Sequence, residues 1–269
     1  MLNTEKRNPN STHIDTMTSA EMVRVIQNEN VNAALAVEKA LPQIAEAIDR
    51  ISQRFNQGGR LFYIGCGTSG RLGILDASEC PPTYGVSPDQ VVGLISGGDK
   101  AIRNAVEGAE DSFDAGYRDI SQFDLTELDT VVGISVAGGA AYVLGAIKAA
   151  KEKGALTIGL TCNEGCKINQ TADLAITTDT GAEVITGSTR MKAGTAHKMV
   201  LNMLSTCVMI KNGRVYENYM VYIKPMNTKL RDRMIRIVSD IANVSSEEAE
   251  SRLEAHSWDI RAAVGNGAE

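Results

Sequence analysis

RLFYIGCGTSGRLGILDASECPP, residues 60–82, carries the strongest structural signal in the chain. The run from Arg60 to Gly65 is almost wholly apolar, with none of the alternation of a half-exposed strand. Such a strand is buried on both faces, as in a parallel sheet covered by helices. Gly65, Gly67 and Gly70 then allow a tight strand-to-helix turn, and Leu72, Ile74 and Leu75 continue at helical spacing. Free N–H groups at a helix start favour an anion, and glycines let it approach the backbone closely. Thr68 and Ser69 add hydroxyl donors within the same turn. The string also satisfies G-x-G-x-x-G, the dinucleotide fingerprint, but that fold needs an acid at the end of its second strand to hold a ribose. Here the next apolar run, VVGLI at 91–95, leads into Ser96-Gly97-Gly98, so a phosphate monoester suits the loop better than a pyrophosphate. A glycine turn that serves packing alone is the competing explanation of the same residues.

Downstream, TVVGISV at 130–136, LTIGLT at 156–161 and DLAITT at 173–178 repeat the buried-strand pattern between helical segments. Five such runs predict an α/β fold, a doubly wound layered domain on a five-stranded parallel sheet, with ligands at the C-terminal strand ends. Upstream, Thr18 or Ser19 caps a helix supported by Glu21, and a second apolar stripe runs from Val31 to Phe55, with Pro42 expected to bend or interrupt it. After Gly187 a long helix passes through MVLNMLSTCVMI and stops near Asn212-Gly213. Lys229 to Val264 reads as charged helix, with SSEEAE at 245–250 as a helix start and fraying expected over Gly265 to Gly267. The division expected is a helical segment at 1–55, the sheet domain at 56–225 and a helical C-terminal segment at 226–269.

Composition narrows the function. With 269 residues, 43% apolar and 22% charged, the chain has material for a real core. A balance of 27 basic against 33 acidic residues, net −6, argues against a general nucleic-acid or membrane-surface binder, so an anionic ligand needs a local trap. The five cysteines are odd in number and scattered, as expected of reduced thiols. Cys162 and Cys166 lack a second pair to complete a zinc site. The first residues have neither the basic start nor the apolar run of a signal peptide, and no run of about 18 apolar residues occurs. A cytoplasmic protein is the expectation.

Three further segments carry chemistry-bearing residues. Asp76-Ala77-Ser78-Glu79 precedes Cys80-Pro81-Pro82, where a helix is expected to end. A carboxylate is unfavourable near a helix C-terminus, a cost that an acid catalyst with a raised pKa tolerates, so Glu79 is either that acid or a solvated glutamate before a turn. Glu107, Glu110 and Asp111 cluster in AVEGAEDS, where Glu107 and Glu110 would share a helical face unless Gly108 breaks it. A solvated acidic face explains the cluster equally. Ser188-Thr189-Arg190-Met191-Lys192 opens the long apolar helix as a second candidate anion trap, with Glu183 placed to orient Arg190 or a sugar hydroxyl. A plain polar entry to an amphipathic helix is the alternative.

Together, LFYIGCGTSGRLGILDASECPPTYGVSPDQVVGLISGG, AVEGAEDS, GAEVITGSTRMKAGTAHKMVLNMLST and the opening TEKRNPNSTHID resemble the N-acetylmuramic acid 6-phosphate etherases. These are sugar isomerase (SIS) domain proteins related to the glucokinase regulatory protein. The likeness runs from about Thr4 to Val264. It implies a three-layer SIS-type domain, a cytoplasmic homodimer and an amino sugar 6-phosphate substrate, with no metal or organic cofactor, no nucleic acid and no membrane. The reaction implied is cleavage of the D-lactyl ether to N-acetylglucosamine 6-phosphate and D-lactate in cell-wall sugar recycling. The family's two catalytic carboxylates fall on Glu79, as the acid that protonates departing lactate, and on Glu110, as the second acid/base group. Phosphate is expected on Gly67, Thr68, Ser69 and Gly70, helped by Ser188, Thr189, Arg190 and Lys192.

Two departures from the family pattern stand out. Where the family reads S-G-R-T-P-Y after the third strand, this chain has Ala137-Gly138-Gly139-Ala140-Ala141-Tyr142, a loop expected to be mobile and poor in donors. The chain also ends before the family's last helices. Either change would suit a sugar-phosphate-binding regulator or a weakly active relative, the alternative function.

Overall fold

Thr18 starts the first long helix of the computed structural model, which describes residues 1–265; the fraying expected at the end lies, from Asn266 on, outside the described residues. The Thr18 hydroxyl accepts the Glu21 N–H while the Glu21 carboxylate accepts the Thr18 N–H, a reciprocal cap for α1 (Ser19–Lys39). No separate helix begins at Val31, because nothing between Gln27 and Lys39 interrupts the ladder. The break falls at Ala40, and Pro42 lies in the first turn of α2 (Leu41–Phe55), where a missing N–H costs nothing. The stripe is thus interrupted next to Pro42, which opens the second helix and does not bend one. Ile44, Ala47, Ile51 and Phe55 form the buried stripe of α2.

The chain continues through β1 (Leu61–Gly65), α3 (Thr68–Tyr84), β2 (Val91–Ile95), α4 (Asp99–Arg103), α5 (Phe113–Ser121) and β3 (Thr130–Ile134). It then forms α6 (Ala141–Glu152), β4 (Leu156–Thr161), α7 (Lys167–Thr171), β5 (Leu174–Thr177) and the long α8 (Lys192–Lys211). The five strands form one parallel sheet in the order β2-β1-β3-β4-β5, with Leu61 opposite both Val91 and Thr130. β1, β3 and β4 are buried along their whole length, as their unbroken apolar composition requires. Phe62, Ile64, Val131, Tyr142 and Ile147 pack in one core cluster between sheet and helices. The connection reverses direction between β1 and β3, so their C-terminal ends open the crevice where such sheets bind ligands.

Two helices depart from expectation. α3 does not stop at Pro81-Pro82 but carries both inside it to Tyr84. The prolines cannot donate to the carbonyls one turn back, yet their fixed φ is helical, and the Gly85 N–H closes the end on the Pro81 carbonyl at 2.9 Å. Glu79 thus stands inside a helix, not at its last residue. α8 buries Ala193, Ala196, Val200, Leu201, Leu204 and Val208 within its own chain, so its apolar run needs no subunit interface to explain it.

The described residues form two compact units. Met1–Ser78 with Asp89–Val208 holds the sheet. The other joins Glu79–Pro88 to the chain from Met209 onward. It contains the β6 (Val215–Tyr216) and β7 (Tyr219–Met220) pair, α9 (Thr228–Ala242), α10 (Ser246–Ala255) and α11 (Ile260–Val264). Asn227 and Ser245 cap α9 and α10 by accepting the Leu230 and Glu248 N–H groups. Met234, Val238, Leu253 and Ile260 form the core of this unit. No helix among the described residues is long and apolar enough to cross a membrane.

Candidate active site

A cavity of about 450 Å³ opens at the crevice between β1 and β3. One wall is the turn Cys66–Ser69, the opposite wall Ile134–Ala137 with Gly139 and Ala140, and Glu110, Asp111, Thr189 and Gly194 complete it. Gly67 lies at φ +52°, and a side chain on Gly70 would come within 2.5 Å of Ile95. The turn can therefore bring α3 this close to the sheet only with glycine. Ser69 and Gly70 return their N–H groups to the Cys66 carbonyl and Arg71 returns its own to Gly67. The N–H groups of Gly67 and Thr68, with the Thr68 and Ser69 hydroxyls, are then the donors at this helix start for an incoming anion. Burial pushes the Cys66 thiol up to about 11, so it stays protonated and is no nucleophile at neutral pH.

The opposite wall is built mostly from small side chains and backbone. Gly138 donates its N–H to the Ser135 carbonyl at 3.0 Å and lies close to the Ser135 hydroxyl at 3.1 Å; its carbonyl accepts the Ile168 N–H at 3.1 Å. The Val136 carbonyl accepts the Cys162 N–H and the Asn163 amide. Ser135, Val136 and Gly138 of the loop are thus bonded within it and to the Cys162–Ile168 segment. Ala140, at the N-cap of α6, offers no side-chain acceptor. Tyr142, common to the family pattern and this chain, is buried and donates its hydroxyl to Asp119 at 2.8 Å, tying α6 to α5.

Glu110 sits in a 3-10 turn, Ala109–Asp111, that follows Gly108 at φ +72°. Glu107 and Glu110 therefore share no helical face; the glycine turns the chain between them. Glu110 and Asp111 reach the cavity, while Glu107 and Glu110 line a side chamber of about 180 Å³ beside it. Of the residues singled out from the sequence, the cavity brings together Gly67, Thr68, Ser69, Glu110 and Thr189. Gly70 is buried behind the turn, Ser188 is half-buried, and Arg190 is exposed; neither lines the cavity. Glu79 is exposed on α3, outside this lining.

The start of α8 is not open to a ligand. Glu183, fully buried, accepts the Lys192 N–H at 3.2 Å and the Ala193 N–H at 2.9 Å, so the protein's own carboxylate occupies the anion trap expected there. Burial outweighs these bonds and raises the Glu183 pKa above the usual carboxylate range. Lys192 is buried too, and its ammonium binds Glu29 of α1. Burial pushes the Glu29 pKa up, but Lys192 and the Asn10 amide, the latter at 2.9 Å, outweigh it and hold the carboxyl below its ordinary value. The N-terminal segment straps this region down: Asn8 donates to the Ala182 carbonyl at 3.0 Å and Ser11 to that of Val184 at 2.7 Å. Glu29 escaped the sequence reasoning because its partner is 163 residues away, with no local pattern to mark it. His197 is fully buried, its Nε2 at 3.3 Å from the Cys162 sulfur, and burial lowers its pKa to about 4. It is neutral and out of reach of any ligand. No group of three or more His, Cys, Asp or Glu among the described residues is placed to hold a metal ion.

The sheet order and the glycine turn facing the switch point define a SIS-domain protein. The SIS domain matches residues 114–206, and the glucokinase regulatory protein N-terminal SIS domain matches residues 43–151. The same fold occurs in the phosphoheptose isomerases of Neisseria gonorrhoeae and Francisella tularensis. Their TM-scores are 0.54 and 0.55 at 22% and 17% identity; each match covers 71% of this chain and 98% of the other. At higher similarity stands the N-acetylmuramic acid 6-phosphate etherase of Caldanaerobacter subterraneus, 53% identical over 97% of this chain and 85% of its own. That of Escherichia coli K12 is 51% identical over 97% of this chain and 88% of its own. The chain belongs to the N-acetylmuramic acid 6-phosphate etherase family.

Proposed function

We infer that the chain is a carbon–oxygen lyase that cleaves the D-lactyl ether of N-acetylmuramic acid 6-phosphate to N-acetylglucosamine 6-phosphate and D-lactate. The observation that carries this is identity above one half, over almost the whole chain, to proteins of that name. The cavity is consistent with it: donors suited to a phosphate on the Gly67–Ser69 turn and a carboxylate, Glu110, line the same cavity. An ether oxygen at C3 is a poor leaving group. In the ring-opened sugar it lies β to the C1 aldehyde, which acidifies the C2 proton, so a base at C2 and an acid at the ether oxygen together allow elimination. Water then adds to the unsaturated aldehyde.

In this proposal Glu110 is one acid/base group and Glu79 the acid for departing lactate. Two carboxyls with opposite tasks need different surroundings, and an exposed Glu79 and a cavity-lining Glu110 differ in that respect. The protein acts in the cytoplasm as a homodimer, in which residues of a second copy complete each site. The test is release of D-lactate by the purified protein. The wild-type chain releases it, and Glu79→Gln and Glu110→Gln each lose roughly 100-fold to 10,000-fold in rate. Wild-type rates in both variants would remove both residues from the chemistry, and no lactate from the unaltered chain would leave a binding role.

A further inference from the structure

We propose that Arg71, in the chamber beside the main cavity, is the receptor for the carboxylate of the lactyl substituent. The proposal rests on the etherase function inferred above and adds where the leaving group lies. Cys66, Gly67 and Glu110 are walls of both the main cavity and the chamber, so a substrate seated in the first can extend a substituent past Glu110 into the second. At about 180 Å³ the chamber is well below the ~300 Å³ where pockets for whole ligands begin. It has room for a three-carbon acid.

Arg71 is what would let an anion lie in a chamber that also holds two carboxylates. Glu107 and Glu110 line the chamber, and a ligand carboxylate beside them is repelled unless a cation faces it. Arg71 is the one cation among the described residues of that lining. Its Nε donates to the Ile102 carbonyl at 2.8 Å, which fixes the plane of the guanidinium from one edge. Among the described residues Arg71 makes no ion pair, so its terminal N–H groups are left for a ligand. A guanidinium held by Nε presents the planar pair of donors that matches a carboxylate in two-point contact. With phosphate at Thr68 and Ser69 and the lactyl carboxylate at Arg71, the sugar carbons between them, C2 among them, fall beside Glu110, the acid/base group other than the one assigned to departing lactate. D-lactate then leaves from a site that holds it by charge.

Arg71→Met and Arg71→Lys test this, read by lactate release and by calorimetric binding of N-acetylglucosamine 6-phosphate, which has the phosphate but no lactyl group. Arg71→Met is expected to lose about 100-fold in kcat/KM and its inhibition by added D-lactate, with Arg71→Lys in between. Affinity for N-acetylglucosamine 6-phosphate stays within about 3-fold, which also shows that the variants are folded. Equal loss for both ligands would assign Arg71 to the phosphate and overturn the proposal, as would unchanged D-lactate inhibition. If the unaltered protein releases no lactate, the etherase function fails. Binding of N-acetylmuramic acid 6-phosphate against N-acetylglucosamine 6-phosphate then still decides Arg71.

Discussion

Lys192 shows how a residue type can mislead when its partner is distant. It stands among hydroxyls, Arg190 and small residues at a helix start, the composition of an anion site, yet its ammonium is inside the protein on Glu29. Removing one member of a buried pair leaves the other charge uncompensated, at about 3–5 kcal/mol. Lys192→Met is therefore expected to lower the melting temperature by roughly 6 °C or more, while Arg190→Met, on an exposed residue, hardly moves it. Adding Glu29→Leu to Lys192→Met removes both charges and should recover much of the loss. Thermal unfolding of the three variants decides it; a stable Lys192→Met protein that merely binds substrate weakly would return Lys192 to the site. Glu183 makes a related point, since an acid beside a cationic motif suggested a sugar contact and instead closes the end of α8.

Among the elements, α6 opens on residues that depart from the family pattern read in the sequence. The family's Thr-Pro falls on Ala140 and Ala141, the N-cap and first residue of α6 in this fold. Threonine accepts an N–H of the first turn at an N-cap, and proline is pre-set for the first helical position. Their loss removes a cap and not only ligand donors. Ala140→Thr should stabilise the protein by about 0.5–2 kcal/mol, seen as a higher urea midpoint. An unchanged midpoint would mean that the α6 entry does not limit stability. The element boundaries divide along similar lines. The strands and the Thr18 cap were legible because burial on both faces and a capping box leave local patterns. The passage of α3 through Pro81 and Pro82 was not, since proline's cost depends on whether the freed carbonyls find other company.

At the scale of the molecule, the apolar α8 offers no dimer surface, because the helix is core within its own chain. A different surface takes its place: Val31 and Leu35 are 50% and 48% exposed on α1, one turn apart on one face, with Val23, 63% exposed, towards its start. Light scattering is expected to give about twice the 28.8 kDa of one chain, and Val31→Asp with Leu35→Asp to shift it to the monomer. A wild-type monomer at micromolar concentration would end the dimer proposal. Doubly buried strands, the glycine turn after β1 and the capped N-terminal helix follow from neighbours a few residues apart, so the α/β class, the five strands and the strand-to-helix turn at Gly65–Gly70 were readable along the chain. Which carboxylates meet a cavity, which cation is consumed by Glu29, and that Arg71 shares a chamber with Glu107 and Glu110 were not. Burial and charge pairing join residues far apart in the chain, and their energies depend on distances that folding alone sets.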